Sequence, residues 1–261
     1  MIIDVHTHAF ADDIASSAMP ALEAEAGFPG SFDGTIDGLQ VRMDEAGIDV
    51  AVVQPVATRP SQVSKINDWA AAACSDRIIV FGAMHPDLDG QAAEISRMAE
   101  MGLRGFKMHP EYQAFVPDEP RMASLYAAAE AQGLIVLFHA GKDIARATLR
   151  GTPATFARVN DAYPGLKMIL AHMGGYDLWA EVAKHLVGRD ILLDTSFTLG
   201  HLSDDRFMTL VRDHGYERVL FGTDAPWTTP VTEIAKIRAL PLSDDELEAI
   251  LGGNSRTLLG L

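Results

Sequence analysis

The sequence predicts an α/β protein built as one (β/α)8 TIM barrel, and two observations support that prediction. Short, nearly continuous apolar runs alternate with segments of helical spacing along the whole chain, as is typical of parallel strands buried on both faces. Eight strand–helix units in 261 residues match the size of a closed parallel barrel. A doubly wound open sheet is the alternative, but no Gly-x-Gly-x-x-Gly motif follows the first strand.

The predicted strands are runs of β-branched and other apolar residues at 1–8, 50–55, 78–84, 103–108, 134–139, 167–172, 191–197 and 219–223. The predicted helices occupy 36–46, 65–75, 91–101, 121–132, 153–163, 178–187 and 205–214. A helical tail begins with a capping box at Ser243 and Glu246. We expect a single domain over 1–261, with the long polar segment at about 9–34 as a candidate lid.

Composition excludes some classes of partner. Lys plus Arg number 21 against 36 Asp plus Glu, so the formal net charge is −15. Nucleic acid and anionic membranes are bound through basic patches, so we expect neither, and expect a small-molecule substrate instead. The single cysteine, Cys74, cannot form an internal disulfide. With no leader pattern and no apolar run of about 18 residues, the chain is expected to be soluble and cytoplasmic.

Metal-binding side chains follow several strands at the end where a parallel barrel carries its active site. His6 and His8 close the first strand, and alternation along a strand directs both side chains to one face. His139 closes the fifth strand, and Asp224 follows the eighth. Buried polar groups without partners cost about 1–3 kcal/mol each, and a divalent metal is the simplest object that satisfies these four.

Five ordered motifs resemble the amidohydrolase superfamily: Asp4-Val-His-Thr-His8, Phe138-His-Ala-Gly141, Ala171-His-Met-Gly-Gly175, Gly222-Thr-Asp-Ala-Pro226 and Asn254-Ser-Arg-Thr-Leu-Leu-Gly-Leu261. The resemblance spans almost the whole chain and is strongest with the amidohydrolase-related branch that includes aminocarboxymuconate-semialdehyde decarboxylase. It implies a barrel of the metal-dependent hydrolase type with one or two divalent ions, zinc first and manganese second. Barrels of this branch are often dimeric, so a homodimer is an open expectation.

The resemblance also implies the roles of individual residues. His6, His8, His139 and Asp224 would be metal ligands, and His172 a second-metal ligand or an acid/base residue. Asp224 would also take a proton from the bound water of a hydrolase, which makes Asp224 and His172 the predicted catalytic residues. General chemistry agrees, because a zinc-type ion lowers the pKa of its water to about 7 and a nearby carboxylate or imidazole then moves the proton.

Lys107 ends the fourth predicted strand and has three open roles. In binuclear members of the superfamily a carboxylated lysine at this strand end bridges two ions; contact with a substrate carboxylate and pairing with a buried Asp are the other two. The candidate substrate contacts follow strands two, four and eight: Arg59, His109, Tyr112 and Trp227. Plain loop surface is the alternative for Arg59 and Tyr112, and packing at the barrel rim is the alternative for Trp227.

The leading functional prediction is a metal-dependent hydrolase that cleaves a C–N, C–O or lactone bond of a small carboxylated molecule. The second is a non-oxidative decarboxylase, in which the metal binds a carboxylate or hydroxyl group and His172 helps to protonate the ring carbon. The branch resemblance favours decarboxylation, whereas the short chain and Lys107 keep hydrolysis level or slightly ahead. A TatD-type deoxyribonuclease ranks low, because those enzymes carry a glutamate at this strand end and an acidic protein suits polyanions poorly. A barrel that only binds a ligand would hold no stoichiometric metal.

Overall fold

The computed structural model describes residues 1–261 and has the alternating α/β order that the sequence predicts. The strands are β1 (Ile3–Thr7), β2 (Val50–Val53), β3 (Ile78–Val80), β4 (Gly82–Ala83), β5 (Gly105–Met108), β6 (Ile135–Phe138), β7 (Met168–Leu170), β8 (Leu192–Asp194) and β9 (Val219–Leu220). The helices are α1 (Asp12–Ala26), α2 (Ile36–Ala46), α3 (Val63–Ala73), α4 (Gln91–Glu100), α5 (Ala123–Gln132), α6 (Pro153–Ala162), α7 (Trp179–His185), α8 (Asp204–His214), α9 (Pro230–Ala239), α10 (Asp244–Glu248) and α11 (Asn254–Leu259). None of the helices combines the length and the apolar composition that a bilayer span requires.

The chain groups into two compact units. The first comprises Met1–Val53, Ser75–Ile79 and Asp194–Leu261, and the second comprises Gln54–Cys74 and Val80–Leu193. Each unit has its own run of neighbouring parallel strands and its own group of polar side chains at strand ends. The single domain expected from the sequence stays a prediction.

Strand β1 is the centre of the first unit. It pairs in parallel with β2, and the register shifts between Asp4 and Thr7. On its other side the amide of Val5 donates to the carbonyl of Phe221, which directly follows β9, at 2.9 Å. All residues of β1 are buried. The irregular pairing falls at the end of β1 that carries His6.

Strands β4 to β7 and the Leu192–Leu193 part of β8 form the sheet of the second unit. Each strand runs parallel to the next in chain order, with Lys107 opposite Leu137 in the β5–β6 register. Every residue of β5, β6 and β7 is buried. Burial on both faces explains why these strands read as continuous apolar runs in the sequence.

Side-chain and glycine caps mark the ends of two helices. The capping box is confirmed, since the Ser243 hydroxyl accepts from the Glu246 amide at 3.2 Å and the Glu246 carboxylate accepts from the Ser243 amide at 2.7 Å. Helix α2 follows Thr35, whose hydroxyl accepts from the Gly38 amide at 2.9 Å. It ends at Gly47, where φ is +69° and glycine avoids the strain that a side chain would add.

The segment 9–34 is not the continuous loop that the sequence predicts, because helix α1 occupies its centre. The sequence signal for this helix is weak: its N-cap residue Ala11 makes no side-chain capping bond, and Pro20 lies inside it. Only Ala15 and Met19 of the helix are buried, so no broad apolar stripe marks it. The role of this segment as a lid stays a prediction.

The strand predicted over 78–84 is two strands, β3 and β4, with Phe81 between them. Gly82 allows close approach to α3, since a Cβ at this position would lie 2.8 Å from Asn67 Oδ1. That oxygen accepts from the Ala83 amide at 2.7 Å. A side-chain amide group therefore takes up a backbone donor in β4, and the chain has nine short strands instead of eight.

Candidate active site

Three of the predicted metal ligands come together in the first unit. Asp224 Oδ1 lies 3.4 Å from His6 Nε2 and 3.1 Å from His8 Nε2. One ligand atom from each side chain lies within 4.8 Å of the other two. Donor atoms around a tetrahedral ion with bonds of about 2.0–2.1 Å are about 3.4 Å apart. The spacing of these three side chains therefore suits a divalent metal ion.

The ring of His6 is oriented by two buried polar side chains. Its Nδ1 lies 2.9 Å from Asp194 Oδ2 and 3.0 Å from the Ser196 hydroxyl, which also donates to the Asp194 carboxylate. Asp194 and Ser196 have no exposed surface. A proton on Nδ1 directed at a carboxylate leaves the Nε2 lone pair facing Asp224, which is the arrangement that a metal-binding histidine needs.

Asp4 links β1 to the residue before Asp224. Its carboxylate accepts from the Thr223 amide at 3.0 Å, from the Thr223 hydroxyl at 2.6 Å and from the His6 amide at 3.1 Å. Burial raises the pKa of Asp4 to about 7, although these hydrogen bonds oppose the increase. The buried carboxyl group of Asp4 thus connects the strand that carries His6 to the residue before Asp224.

Two predicted catalytic residues have backbone conformations that side chains rarely adopt. Asp224 has φ of +69°, and His172 has φ of +59° and is followed by Met173 at +52°. The amide of Asp224 donates to the carbonyl of His6 at 2.8 Å, which holds this conformation. Positive φ at a non-glycine residue costs energy, and such residues cluster at functional sites. The positive φ values of Asp224 and His172 therefore support a functional role for both residues.

The second unit brings His139, His172 and His109 together. His172 Nε2 lies 3.1 Å from His139 Nδ1, and the rings of His109 and His139 stack at 4.1 Å with an interplanar angle of 7°. His139 Nε2 lies 3.2 Å from the Lys142 carbonyl oxygen, which can only accept, so Nε2 carries a proton. Burial, followed by the neighbouring His109 and His172, holds the pKa of His139 well below its ordinary value. His139 is therefore neutral, and its Nδ1 accepts from His172.

Asp143 belongs to this second group, and sequence reasoning missed it. Its Oδ2 lies 3.4 Å from His109 Nε2 and 4.0 Å from His139 Nε2. His109, His139 and Asp143 also have ligand atoms within 4.8 Å of one another. The available signal was its position four residues after His139, but an aspartate in an irregular loop has no periodic pattern that predicts its direction.

Lys107 and Tyr112 lie in the second unit, at and shortly after the strand that the sequence predicts as the fourth. Lys107 is on β5 with 1% of its surface exposed. The rings of Tyr112 and His109 are nearly perpendicular, with centroids 4.5 Å apart, and the guanidinium of Arg146 lies 4.6 Å from the centre of the Tyr112 ring. Tyr112 therefore contacts the histidine group, and the substrate-binding roles of Tyr112 and His109 stay predictions.

Arg59 and Trp227 differ in their surroundings. Arg59 is exposed, and its backbone amide donates to Gln62 Oε1 at 3.0 Å at the start of a short turn. Trp227 is half-buried in the first unit, where its ring meets Phe28 edge-on at 6.1 Å. The carbonyl of Pro226, the residue before Trp227, accepts from the Ser31 amide at 2.8 Å. The substrate-binding roles of Arg59 and Trp227 stay predictions.

The sequence of this chain matches a known protein family over nearly its whole length. The sequence model described as Amidohydrolase matches residues 3–261. The chain belongs to the amidohydrolase family. No curated protein matches this amidohydrolase by sequence. Family membership confirms the superfamily predicted from the five motifs, and with it an enzyme of the metal-dependent hydrolase or carboxy-lyase type.

Three solved structures resemble the amidohydrolase over nearly the whole of both chains. One is 5-carboxyvanillate decarboxylase from Novosphingobium aromaticivorans, complexed with manganese and 4-hydroxy-3-methoxy-5-nitrobenzoic acid (17% identity, 100% of this chain and 96% of that chain, TM-score 0.73). Another is 2,6-dihydroxybenzoate decarboxylase from Rhizobium (16%, 99% and 98%, TM-score 0.73). The third is an uncharacterized TIM-barrel protein from Bordetella bronchiseptica (20%, 99% and 98%, TM-score 0.76). The predicted fold class, an α/β TIM barrel, is confirmed.

Proposed function

We propose that this amidohydrolase is a divalent-metal enzyme acting on a small carboxylated molecule. The observation that carries the proposal is the cluster of His6, His8 and Asp224, where one carboxylate oxygen lies 3.1 and 3.4 Å from two imidazole nitrogens. Two imidazoles and a carboxylate suit zinc and manganese. A divalent ion held there would supply Lewis-acid activation of a substrate oxygen or a water.

The side chains around this cluster prepare it for such an ion. Asp194 and Ser196 fix the His6 ring with its Nε2 toward Asp224.

In the second unit, the contact of His172 Nε2 with His139 Nδ1 at 3.1 Å supports the acid/base role predicted for His172. The neutral His139 ring accepts a hydrogen bond from His172 Nε2, which orients the His172 ring for proton transfer during the reaction.

Decarboxylation is the reaction that we propose first. Two of the similar structures are decarboxylases of carboxylated aromatic molecules, and the similarity covers 96% and 98% of their chains. The short length of this chain was one of two observations, with Lys107, that kept hydrolysis level or slightly ahead. This coverage makes the length a weaker argument for hydrolysis. Hydrolysis is the second candidate, because the Asp224 carboxylate lies at the cluster, where it can take a proton from an attacking water.

His139, His172 and Lys107 are further ligands predicted from the sequence, and they stay predictions. Ligation through His139 Nε2 would require that nitrogen to release the Lys142 carbonyl, with which it bonds at 3.2 Å. We therefore propose His6, His8 and Asp224 as the core ligands of a first ion. Measurement decides whether a second ion binds, whether the ion is zinc or manganese, and whether Lys107 is carboxylated.

The first experiment is elemental analysis of the chain purified without added metal or chelator, and again after reconstitution with zinc or manganese. We expect His6→Ala to lose the ion because one of three core ligands is removed. If the enzyme is mononuclear, the Lys107→Ala variant should keep one ion per chain. If Lys107 bridges two ions, the metal content of this variant should fall below two ions per chain. His185→Ala is the control, since His185 lies on α7 and pairs with Glu181 at 3.1 Å.

The two reactions are separated by their products. 5-Carboxyvanillate and 2,6-dihydroxybenzoate are tested for CO2 release, and aromatic amides, esters and lactones are tested for incorporation of oxygen from labelled water. CO2 release that needs the ion supports decarboxylation, and label incorporation that needs the ion supports hydrolysis. A wild-type chain that binds no metal even after reconstitution would contradict the proposal as a whole.

A further inference from the structure

The loop that follows β6 closes on itself beside His109. It runs from residue 141 to residue 152, and the Gly141 amide donates to the Gly151 carbonyl at 2.7 Å, which joins its two ends. Compact surface loops with joined ends are frequently functional. The first limb carries Asp143, whose Oδ1 accepts from the Ala145 amide at 2.8 Å and whose Oδ2 lies 3.4 Å from His109 Nε2.

Glu111 holds the other limb of this loop through a carboxylate with no exposed surface. Its Oε1 accepts from the amides of Arg150 at 2.5 Å and Gly151 at 3.2 Å. Its Oε2 accepts from the Thr148 hydroxyl at 2.7 Å and from the Arg150 guanidinium at 3.2 Å. Two oxygens with four donors use the full accepting capacity of a carboxylate, so the site is built for an ionised glutamate.

The same short segment of chain carries Glu111 and His109, with only Pro110 between them. Tyr112, the next residue, packs its ring against that of His109 and lies under the Arg146 guanidinium of the loop. The loop is thus attached at two points to the segment that carries His109. Its first limb is also held to the segment after β7, where the Lys142 amide donates to the Tyr176 carbonyl at 3.0 Å.

We propose that Glu111 is a positioning residue for the histidine group of the second unit. It fixes the loop at 141–152 so that Asp143 stays against His109 and His139, and it thereby sets the access of small molecules to His109. The inference rests on the proposed function only in assigning these histidines to the active site. The contacts themselves involve no metal ion and no substrate.

The test is the reactivity of individual histidines toward diethyl pyrocarbonate, measured by peptide mass spectrometry on the full chain. Glu111→Gln places an amide group against N–H and O–H donors, so the loop should open and His109 should react about tenfold faster. Trypsin should cleave after Arg146 faster by a similar factor. His185 is the internal reference, and its reactivity should not change. Glu130→Gln is the matched control, because Glu130 likewise accepts a backbone amide, from Gly165 at 2.7 Å, outside this loop.

Further variants separate the steps of the inference. Asp143→Asn should raise the reactivity of His109 without faster cleavage after Arg146, because the anchor is intact. Thr148→Val removes one donor and should act like a weaker Glu111→Gln, whereas Thr148→Ser should behave as the wild type. Faster cleavage in Glu111→Gln with unchanged His109 reactivity would overturn the inference and leave Glu111 a structural residue. A chain without metal would contradict the proposed function but would leave this result standing.

Discussion

At the scale of single residues, the orientation of His6 depends on Asp194. The bond between His6 Nδ1 and Asp194 Oδ2, at 2.9 Å, is buried and fixes both the ring and its tautomer. Carboxylates in this role typically contribute a factor of about 10–100 to metal affinity. Asp194→Asn should therefore weaken zinc or manganese binding by about that factor while the fold persists, as measured by competition with a chelator of known affinity.

Asp190→Asn is the control for this measurement. Asp190 is an exposed acid a few residues before Asp194, and its substitution removes the same formal charge. The variants should differ if the bond to His6 matters. Equal metal affinities in Asp194→Asn and the wild type would show that the His6 ring is held by other contacts and that the carboxylate has no influence on the ion.

Predictability from sequence also differs from residue to residue. His6 and His8 could be found because strand alternation fixes their direction, and Asp224 because it follows a buried strand within a recognisable motif. Asp143 and Glu111 could not, since both lie in irregular chain where no period relates sequence position to direction. Their partners are set by tertiary contacts across about 30 to 40 residues, and single-sequence patterns do not encode such contacts.

At the scale of elements, local signals predict helix boundaries well where a cap is present. Helix α10 begins at a reciprocal capping box, with Ser243 and Glu246 each accepting a backbone amide. Loss of such a cap costs about 0.5–2 kcal/mol. Ser243→Ala should therefore lower the free energy of unfolding by about 1 kcal/mol, measured by urea denaturation monitored by circular dichroism.

Ser203→Ala is the matched comparison. Ser203 is also an N-cap serine, before α8, but its side chain makes no capping bond. Its replacement should cost clearly less than the replacement of Ser243. A loss of equal size in the two variants would mean that the intrinsic preference of serine for this position, and not the hydrogen bond, determines the effect.

The elements that sequence reasoning misjudged lack such local signals. Helix α1 has an alanine N-cap, an internal proline and only two buried residues, so neither capping nor periodicity indicates it. The break between β3 and β4 depends on Asn67 of α3, which approaches Gly82 and takes the Ala83 amide. That contact joins residues about 16 positions apart and becomes visible only in three dimensions.

At the scale of the whole molecule, the fold class was the most predictable property, because the alternation of buried strands and helices extends over the entire chain. The grouping into two units was not predictable, since no change of composition or linker marks Val53 or Asp194. Cytoplasmic location, a homodimer and the exclusion of nucleic acid and membranes stay predictions. The net charge of −15 bears on them, and it also attracts every cation to the surface without regard to the site.

Thermal stability distinguishes site-specific metal binding from this general attraction. An ion that binds only the folded chain at a free concentration of 100 times its dissociation constant stabilises it by about 2.7 kcal/mol. For a chain of this size, 1 kcal/mol corresponds to about 2–4 °C, so zinc or manganese should raise the Tm of the metal-free protein by about 5–10 °C.

Magnesium carries the same charge but prefers all-oxygen ligands, so its effect on the Tm should be much smaller. The increase should disappear in His6→Ala, because that variant keeps the acidic surface and loses one imidazole ligand. An equal increase with magnesium, or in His6→Ala, would assign the stabilisation to the surface charge and contradict a metal site at His6, His8 and Asp224.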